Sequence, residues 1–274
     1  MIALSALLAA AAPLHVATYA YPAYDRTQAL APLAQLVERV TGQAADITLY
    51  PSPEALAAAV REGHVDVAVT NLAAFIEASR TRAVRAIAVP DVPAATLDRY
   101  RGVLLARRET GARTPADLRD RVTTLRYAEV LPGSTSGALV QAAALRHAGI
   151  DRAAFRSIEQ AGTHDAALAR LLTGESDVAA LAETPWRTLR AEKADQAARV
   201  VELWRSEPLP PGPVLCVRSP RISCNRVAAA LVRYNAESRD VAIALSKGWS
   251  ETAGTTRFLP VNQRTYAPFI SPPR

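Results

Sequence analysis

Apolar positions along this chain come in two alternating textures. Short runs of Val, Ile, Leu and Ala predict strands at 14–20, 46–50, 65–69, 84–89, 102–107, 122–127, 156–159, 177–181, 200–204 and 213–218. Between them, apolar residues at helical spacing predict helices near 27–41, 53–62, 71–80, 114–119, 136–148, 163–173, 184–193, 223–235 and 238–247. Alternation of this kind argues for parallel α/β sheets.

One stretch occurs twice. Glu54-Ala-Leu-Ala-Ala-Ala-Val-Arg-Glu-Gly63-His-Val-Asp66-Val-Ala-Val-Thr-Asn71 is echoed by Asp165-Ala-Ala-Leu-Ala-Arg-Leu-Leu-Thr-Gly174-Glu-Ser-Asp177-Val-Ala-Ala. Each copy is a helix closed by a glycine suited to the left-handed position, with an aspartate three residues on that opens a Val/Ala strand. The preceding parts echo too, with Gly42 and Gly149 as helix terminators. Two copies of one α/β unit predict two similar lobes. Ligands of such sheets bind outside the carboxyl ends of the strands, so facing lobes share a cleft.

Composition narrows this less than it first suggests. A chain of 274 residues, 50% apolar and 21% charged, is a folded protein of one large domain or two lobes, not a disordered one. The net charge of +6 rests on thirty arginines and two lysines, Lys193 and Lys247. The arginines are scattered among acids with no run of five, so they read as surface and genomic background, not as a nucleic-acid face. Residues 2–12 form an apolar stretch with the length of a signal-peptide h-region, too short to span a bilayer and without a basic n-region. Export to the periplasm is the expectation. Cys216 and Cys224 lack histidines at ligand spacing, so no metal site is expected; a local disulfide and two inert thiols both remain open.

The sharpest local signal is Leu131-Pro132-Gly133-Ser134-Thr135-Ser136-Gly137, placed before an apolar helix. Three consecutive hydroxyls at a helix start combine with free N–H groups and the positive dipole end to suit a small oxyanion. The lysine of a P-loop is absent, and a plain serine-rich cap is the simpler alternative. A second helix start, Gly162-Thr163-His164-Asp165, places a histidine where a cationic ring would oppose the dipole. A neutral His164 there can donate to an anion. Asp165 has an equally good explanation as a dipole partner.

Together these segments resemble the phosphate/phosphite/phosphonate-binding family of periplasmic solute-binding proteins, the PhnD-like receptors of ABC importers. The matching pieces include Tyr19-Ala-Tyr21-Pro22, Gly63-x-Val65-Asp66 before Asn71, and Tyr100. They continue through Ser134-Thr135-Ser136-Gly137, Gly162-Thr163-His164-Asp165-Ala166, Ser206-Glu-Pro208-Leu-Pro210 and Gly248-Trp249, in family order. The resemblance implies a type II periplasmic-binding-protein-like fold: two α/β lobes, each a mostly parallel sheet flanked by helices, joined by two crossings near 98–102 and 205–213. Residues 13–99 and 206–274 would form lobe 1 and 100–205 lobe 2. It further implies that Ser134, Thr135, Ser136 and Gly137 grip the anion and that His164 and Tyr100 donate to it. Tyr19 or Tyr21 would reach in from the opposite lobe, Asn71 matches a position at the cleft mouth, and Glu183 lies near where some members place an acidic residue that contacts the ligand's substituent. Apart from the resemblance, a carboxylate such as Asp165 or Glu183 would select a ligand bearing an O–H or ammonium hydrogen and repel a fully ionised one. Val69-Thr70-Asn71-Leu72 lacks the aromatic–glycine pair expected there, and Pro185-Trp186 beside Glu183 is unusual.

The expected function is therefore a monomeric, cofactor-free solute-binding protein. It delivers a phosphonate, phosphite or phosphate to an inner-membrane permease. An alternative is a sensory subunit that reports its ligand to a membrane sensor kinase. An enzyme is disfavoured, because three adjacent hydroxyls suit binding better than attack and no clear acid–base pair surrounds them.

Overall fold

The computed structural model describes residues 12–270, so the apolar stretch read as an h-region lies almost wholly outside the described residues. The first half runs β1 (Leu14–Tyr19), α1 (Arg26–Thr41), β2 (Ala45–Tyr50), α2 (Pro53–Arg61), β3 (Val67–Val69), α3 (Leu72–Ala78), β4 (Val84–Pro90), α4 (Ala94–Leu97), β5 (Gly102–Arg107) and β6 (Arg126–Glu129). It continues with α5 (Val140–His147), β7 (Ser157–Gln160), α6 (His164–Thr173), β8 (Val178–Ala182), α7 (Glu183–Glu192), α8 (Ala194–Ala197) and β9 (Val200–Arg205). Last come β10 (Val214–Val217), α9 (Cys224–Val232), α10 (Ala236–Ser246), β11 (Phe258–Leu259) and α11 (Gln263–Ile270).

The repeat in the sequence is one hydrogen-bonded joint built twice. Ser52 and Thr163 cap α2 and α6, each side chain accepting from the N–H three residues on, at 3.1 Å. Gly63 and Gly174 then turn the chain with φ of +78° and +82°. The aspartate that follows ties the next strand to the first. Asp66 accepts from the His15 N–H at 2.8 Å and Asp177 from the Arg126 N–H at 2.9 Å, both across 51 residues. In each lobe the joint fixes the same parallel pairing, β1 between β2 and β3, and β6 between β7 and β8.

Among the described residues the sheets run β11-β4-β10-β3-β1-β2 and β7-β6-β8-β5-β9. Both are mixed, and the strands that arrive from the other lobe explain why. The chain enters the second sheet through β5, which lies antiparallel to β8 and β9, and returns through β10, antiparallel to β3 and β4. The remaining strands of each sheet, apart from β11, run one way, as the alternation in the sequence predicts. Central strands are covered on both faces, so β3, β8 and β10 read as unbroken apolar runs with little alternation. Each sheet carries a core on both sides, built around Leu30, Leu33 and Val227 or Leu56 and Phe75 in the first, and around Leu104 and Tyr127 or Leu105 and Leu181 in the second.

Local differences from the sequence reading have identifiable causes. The strand predicted at 122–127 lies at Arg126–Glu129, because Thr114 and Asp117 form a reciprocal cap and the 3₁₀ helix begun at Pro115 runs on to Thr124. The β-branched Val122-Thr-Thr run therefore serves a helix end. Short β11, α4, α8 and α11 are not anticipated, being too brief or too proline-marked to show a period. Cys216 and Cys224 are joined in a disulfide that links β10 to the first turn of α9, inside the first core.

Candidate functional site

The loop after β6 enters α5 through one wide turn, Thr135–Leu139, whose closing bond runs from the Leu139 N–H to the Ser134 carbonyl at 2.9 Å. A turn of this width leaves the N–H groups of Thr135, Ser136, Gly137 and Ala138 without carbonyl partners inside it. Thr135, Ser136 and Gly137 are buried. The turn is held open from behind by Gln141, a fully buried amide whose Nε2 donates to Ser136 O at 2.8 Å, Val103 O at 3.0 Å and Leu181 O at 3.2 Å. Gly137 admits no side chain. A Cβ there would lie 2.4 Å from Val130 Cγ2 and 3.1 Å from His164 Cε1.

His164 lies beside this turn at the start of α6. Its Nδ1 accepts from the Ala182 N–H at 2.9 Å, which fixes the neutral tautomer with a proton on Nε2. Burial pushes its pKa down to about 4. The sign of the consequence follows from linkage. The folded value lies below the ordinary 6.5, so the stabilisation is complete above pH 6.5 and is lost as pH falls towards 4. Urea melts should show stability dropping by about 2 kcal/mol between pH 7 and 5, and His164→Asn should flatten that slope. An unchanged slope would place the titration elsewhere.

Tyr100 completes this side. Its hydroxyl is buried near Ser136 and Thr135, and burial holds its pKa well above the ordinary tyrosine value, so it remains a donor.

The matching loop of the first sheet, between β1 and α1, faces this one with different chemistry. Arg26, the first residue of α1, is 3% exposed. Its Nε donates to Gly248 O at 3.0 Å and a terminal nitrogen to Tyr19 O at 3.1 Å. The guanidinium carbon lies 4.1 Å from the Tyr19 ring centroid, 4.3 Å from that of Trp249 and 5.2 Å from that of Tyr21. Among the described residues no carboxylate comes within ion-pairing distance of it. Glu251 feels its charge from farther off, and burial raises that carboxyl's pKa. A buried cation with no close counter-ion is costly in a low dielectric.

Between the lobes lies a cavity of about 420 Å³, lined by Tyr21, Arg26 and Glu251 from the first, by His164, Asp165 and Arg187 from the second, and by Tyr100 at the crossing, with others; Ser134, Thr135, Ser136 and Gly137 lie behind His164 and Tyr100 and are not on its wall. Side-chain hydrogen bonds cross between the lobes, the first of them on the cavity wall. The Tyr21 hydroxyl accepts from the His164 N–H at 3.2 Å, Asn71 Nδ2 donates to Gly133 O at 3.0 Å, and Thr135 Oγ1 accepts from the Ala73 N–H at 3.0 Å.

Of the residues singled out in the sequence, Ser134, Thr135, Ser136, Gly137, His164 and Tyr100 come together in or beside the wide turn. Tyr21 and Asp165 line the cavity, and Tyr19 sits directly beneath Arg26. Asn71 is buried at the contact between the lobes and is not on the cavity wall, capping α3 through Oδ1 while holding the loop through Nδ2. Glu183 is not on the cavity wall; it faces Arg205 at 2.7 Å and Arg101 at 4.0 Å. Sequence reasoning missed Arg26, Gln141 and Glu251. The signal for Gln141 was present as an amide on the apolar side of a helix.

The family model for the phosphonate-type periplasmic substrate-binding protein of ABC transporters matches residues 19–266. Among curated proteins none matches significantly. Solved structures share the fold at low identity. A binding-protein component of an ABC phosphonate transporter from Pseudomonas aeruginosa is 19% identical, with a TM-score of 0.66 over 93% of this chain and 84% of its own. PhnD1 from Prochlorococcus marinus, in complex with methylphosphonate, is 14% identical, with a TM-score of 0.65 over 92% and 94%. A Xanthomonas citri protein bound to chloride ion is 17% identical, with a TM-score of 0.71 over 93% and 96%.

Proposed function

The chain belongs to the phosphonate-binding family of periplasmic ABC-transporter substrate-binding proteins, and from that premise we propose that it captures a small tetrahedral oxyanion between its lobes. Phosphonate, phosphite and phosphate are the candidate ligands, and the loaded monomer would dock on an inner-membrane permease. The lobes would be residues 13–99 with 206–274, and residues 100–205, hinged at the two crossings.

One observation carries the reading. Tyr100 and His164, the neutral donors that flank the open turn at Thr135–Ala138, line one cavity with the buried, carboxylate-free guanidinium of Arg26. An anion is the one kind of ligand that satisfies both sides. Each hydrogen bond to a charged group contributes about 1.5–3 kcal/mol. Four or five of them would offset closure and leave the roughly −8 kcal/mol of a micromolar site. Export is supported by the Cys216–Cys224 disulfide, which suits an oxidising compartment. No helix among the described residues is long and apolar enough to cross a membrane. No observation favours the sensory alternative: the thiols it would use are bonded to each other in the first core.

Calorimetry and thermal shift with methylphosphonate, phosphite, phosphate and arsenite test this. At least one should bind with a micromolar or lower Kd, and Ser136→Ala should weaken it by about tenfold or more. No stabilisation by any of them at millimolar concentration would overturn it.

A further inference from the structure

The cavity is larger than an inorganic oxyanion requires. Its 420 Å³ is room for about fourteen waters at ~30 Å³ each, whereas phosphate or phosphite has at most five heavy atoms. The remaining space suits a substituent, and the walls around it are rich in donors. Thr184, Arg187 and Thr188 project from one face of α7, at the i, i+3 and i+4 spacing of helical neighbours. Arg99 and Thr96 face them from the end of the first lobe's chain before the crossing. Neither Arg99 nor Arg187 is in an ion pair among the described residues, and Arg26 lines the same cavity.

Opposite charge is present but weakly placed. Asp165 lies in the first turn of α6, where the positive helix end offsets it. Burial raises the pKa of the Glu251 carboxyl, and the nearby charge of Arg26 acts against that rise. Glu183, the carboxylate that could have received an ammonium group, is committed to Arg205 and Arg101 outside the cavity.

Building on the oxyanion reading above, we propose that the substituent end of this cleft selects an anionic group, so that the preferred ligand is a phosphonocarboxylate and aminoalkylphosphonates are disfavoured. A second carboxylate would find guanidinium and hydroxyl donors on both lobes and would help hold them together. An ammonium would meet the Arg99 and Arg187 guanidinium groups, with Asp165 at a helix start and Glu251 near Arg26 as the carboxylates of the lining.

Calorimetry at pH 7.5 with methylphosphonate, phosphonoacetate and 2-aminoethylphosphonate tests this on the intact protein. Phosphonoacetate should bind about tenfold or more tightly than 2-aminoethylphosphonate. In the Arg99→Ala/Arg187→Ala double variant the loss for phosphonoacetate should exceed the loss for methylphosphonate by about tenfold. Raising salt should also weaken phosphonoacetate the more steeply of the two. Equal or tighter binding of 2-aminoethylphosphonate by the wild-type protein would overturn the inference and leave the oxyanion reading standing. So would equal losses of phosphonoacetate and methylphosphonate in a double variant of normal melting temperature. If none of the three binds, the oxyanion reading itself falls, and the inference with it.

Discussion

Replacing Arg26 by methionine should weaken methylphosphonate binding by about two orders of magnitude while leaving the protein folded. The size follows from what the guanidinium supplies: a charged hydrogen bond contributes about 1.5–3 kcal/mol, and 1.4 kcal/mol is tenfold in affinity. Its burial adds to this, because a charge at 3% exposure acts through a weakly polarisable medium. The unliganded protein should feel the change much less. Methionine fills similar space among Tyr19, Tyr21 and Trp249 and relieves the cost of an uncompensated buried charge. Against that, the Gly248 and Tyr19 carbonyls each lose a donor, at about 1 kcal/mol apiece. The expected signature is therefore a split: a small drop in melting temperature beside a large loss of affinity. Arg26→Lys should fall between, since it keeps the charge but loses the fork that spans two carbonyls. An affinity loss under about threefold in Arg26→Met would reduce Arg26 to a pin for the 19–26 loop.

Arg26 also marks where the sequence stops being informative. Its neighbours Tyr19 and Tyr21 are noticeable in a chain with few aromatics, but one arginine among thirty carries no label. What distinguishes it is burial against Trp249 and the Gly248 carbonyl, over two hundred residues away in the chain. The repeat was legible because its causes are local. A capped helix, a left-handed glycine and an aspartate at fixed spacing are all written within about fifteen residues. The sequence could not say that Asp66 and Asp177 would each bind the middle strand of a parallel trio, β1 and β6, but it marked both positions. The hydroxyl loop was legible for the same reason.

Partner choice was not legible. Glu183 follows its strand where a ligand contact is plausible, yet Arg205 comes from β9 and Arg101 from the crossing, and neither pairing leaves a local trace. The mixed sheets were hidden likewise. A strand's apolar run records that both faces are covered, not which way its neighbour points.

Replacing Gln141 by methionine should destabilise the fold by about 3 kcal/mol, a large effect for a change that alters volume little. The two amide hydrogens serve three carbonyls, Ser136, Val103 and Leu181, in a place with no solvent to replace them. A buried carbonyl stripped of its donor costs about 1–3 kcal/mol, and partial relaxation keeps the total below the sum of three. Methionine is the informative choice, because alanine would add a cavity to the lost hydrogen bonds. Urea denaturation measures the first half of the effect. The second half is functional. With Ser136 O released, the wide turn is free to tighten towards ordinary helical spacing, which withdraws N–H groups from the cleft. Affinity for methylphosphonate should then fall by about tenfold at a temperature where the variant is still folded. A variant within about 0.5 kcal/mol of wild type would show that the amide does not hold the turn open. One that is destabilised yet binds normally would show that the turn keeps its width without Gln141.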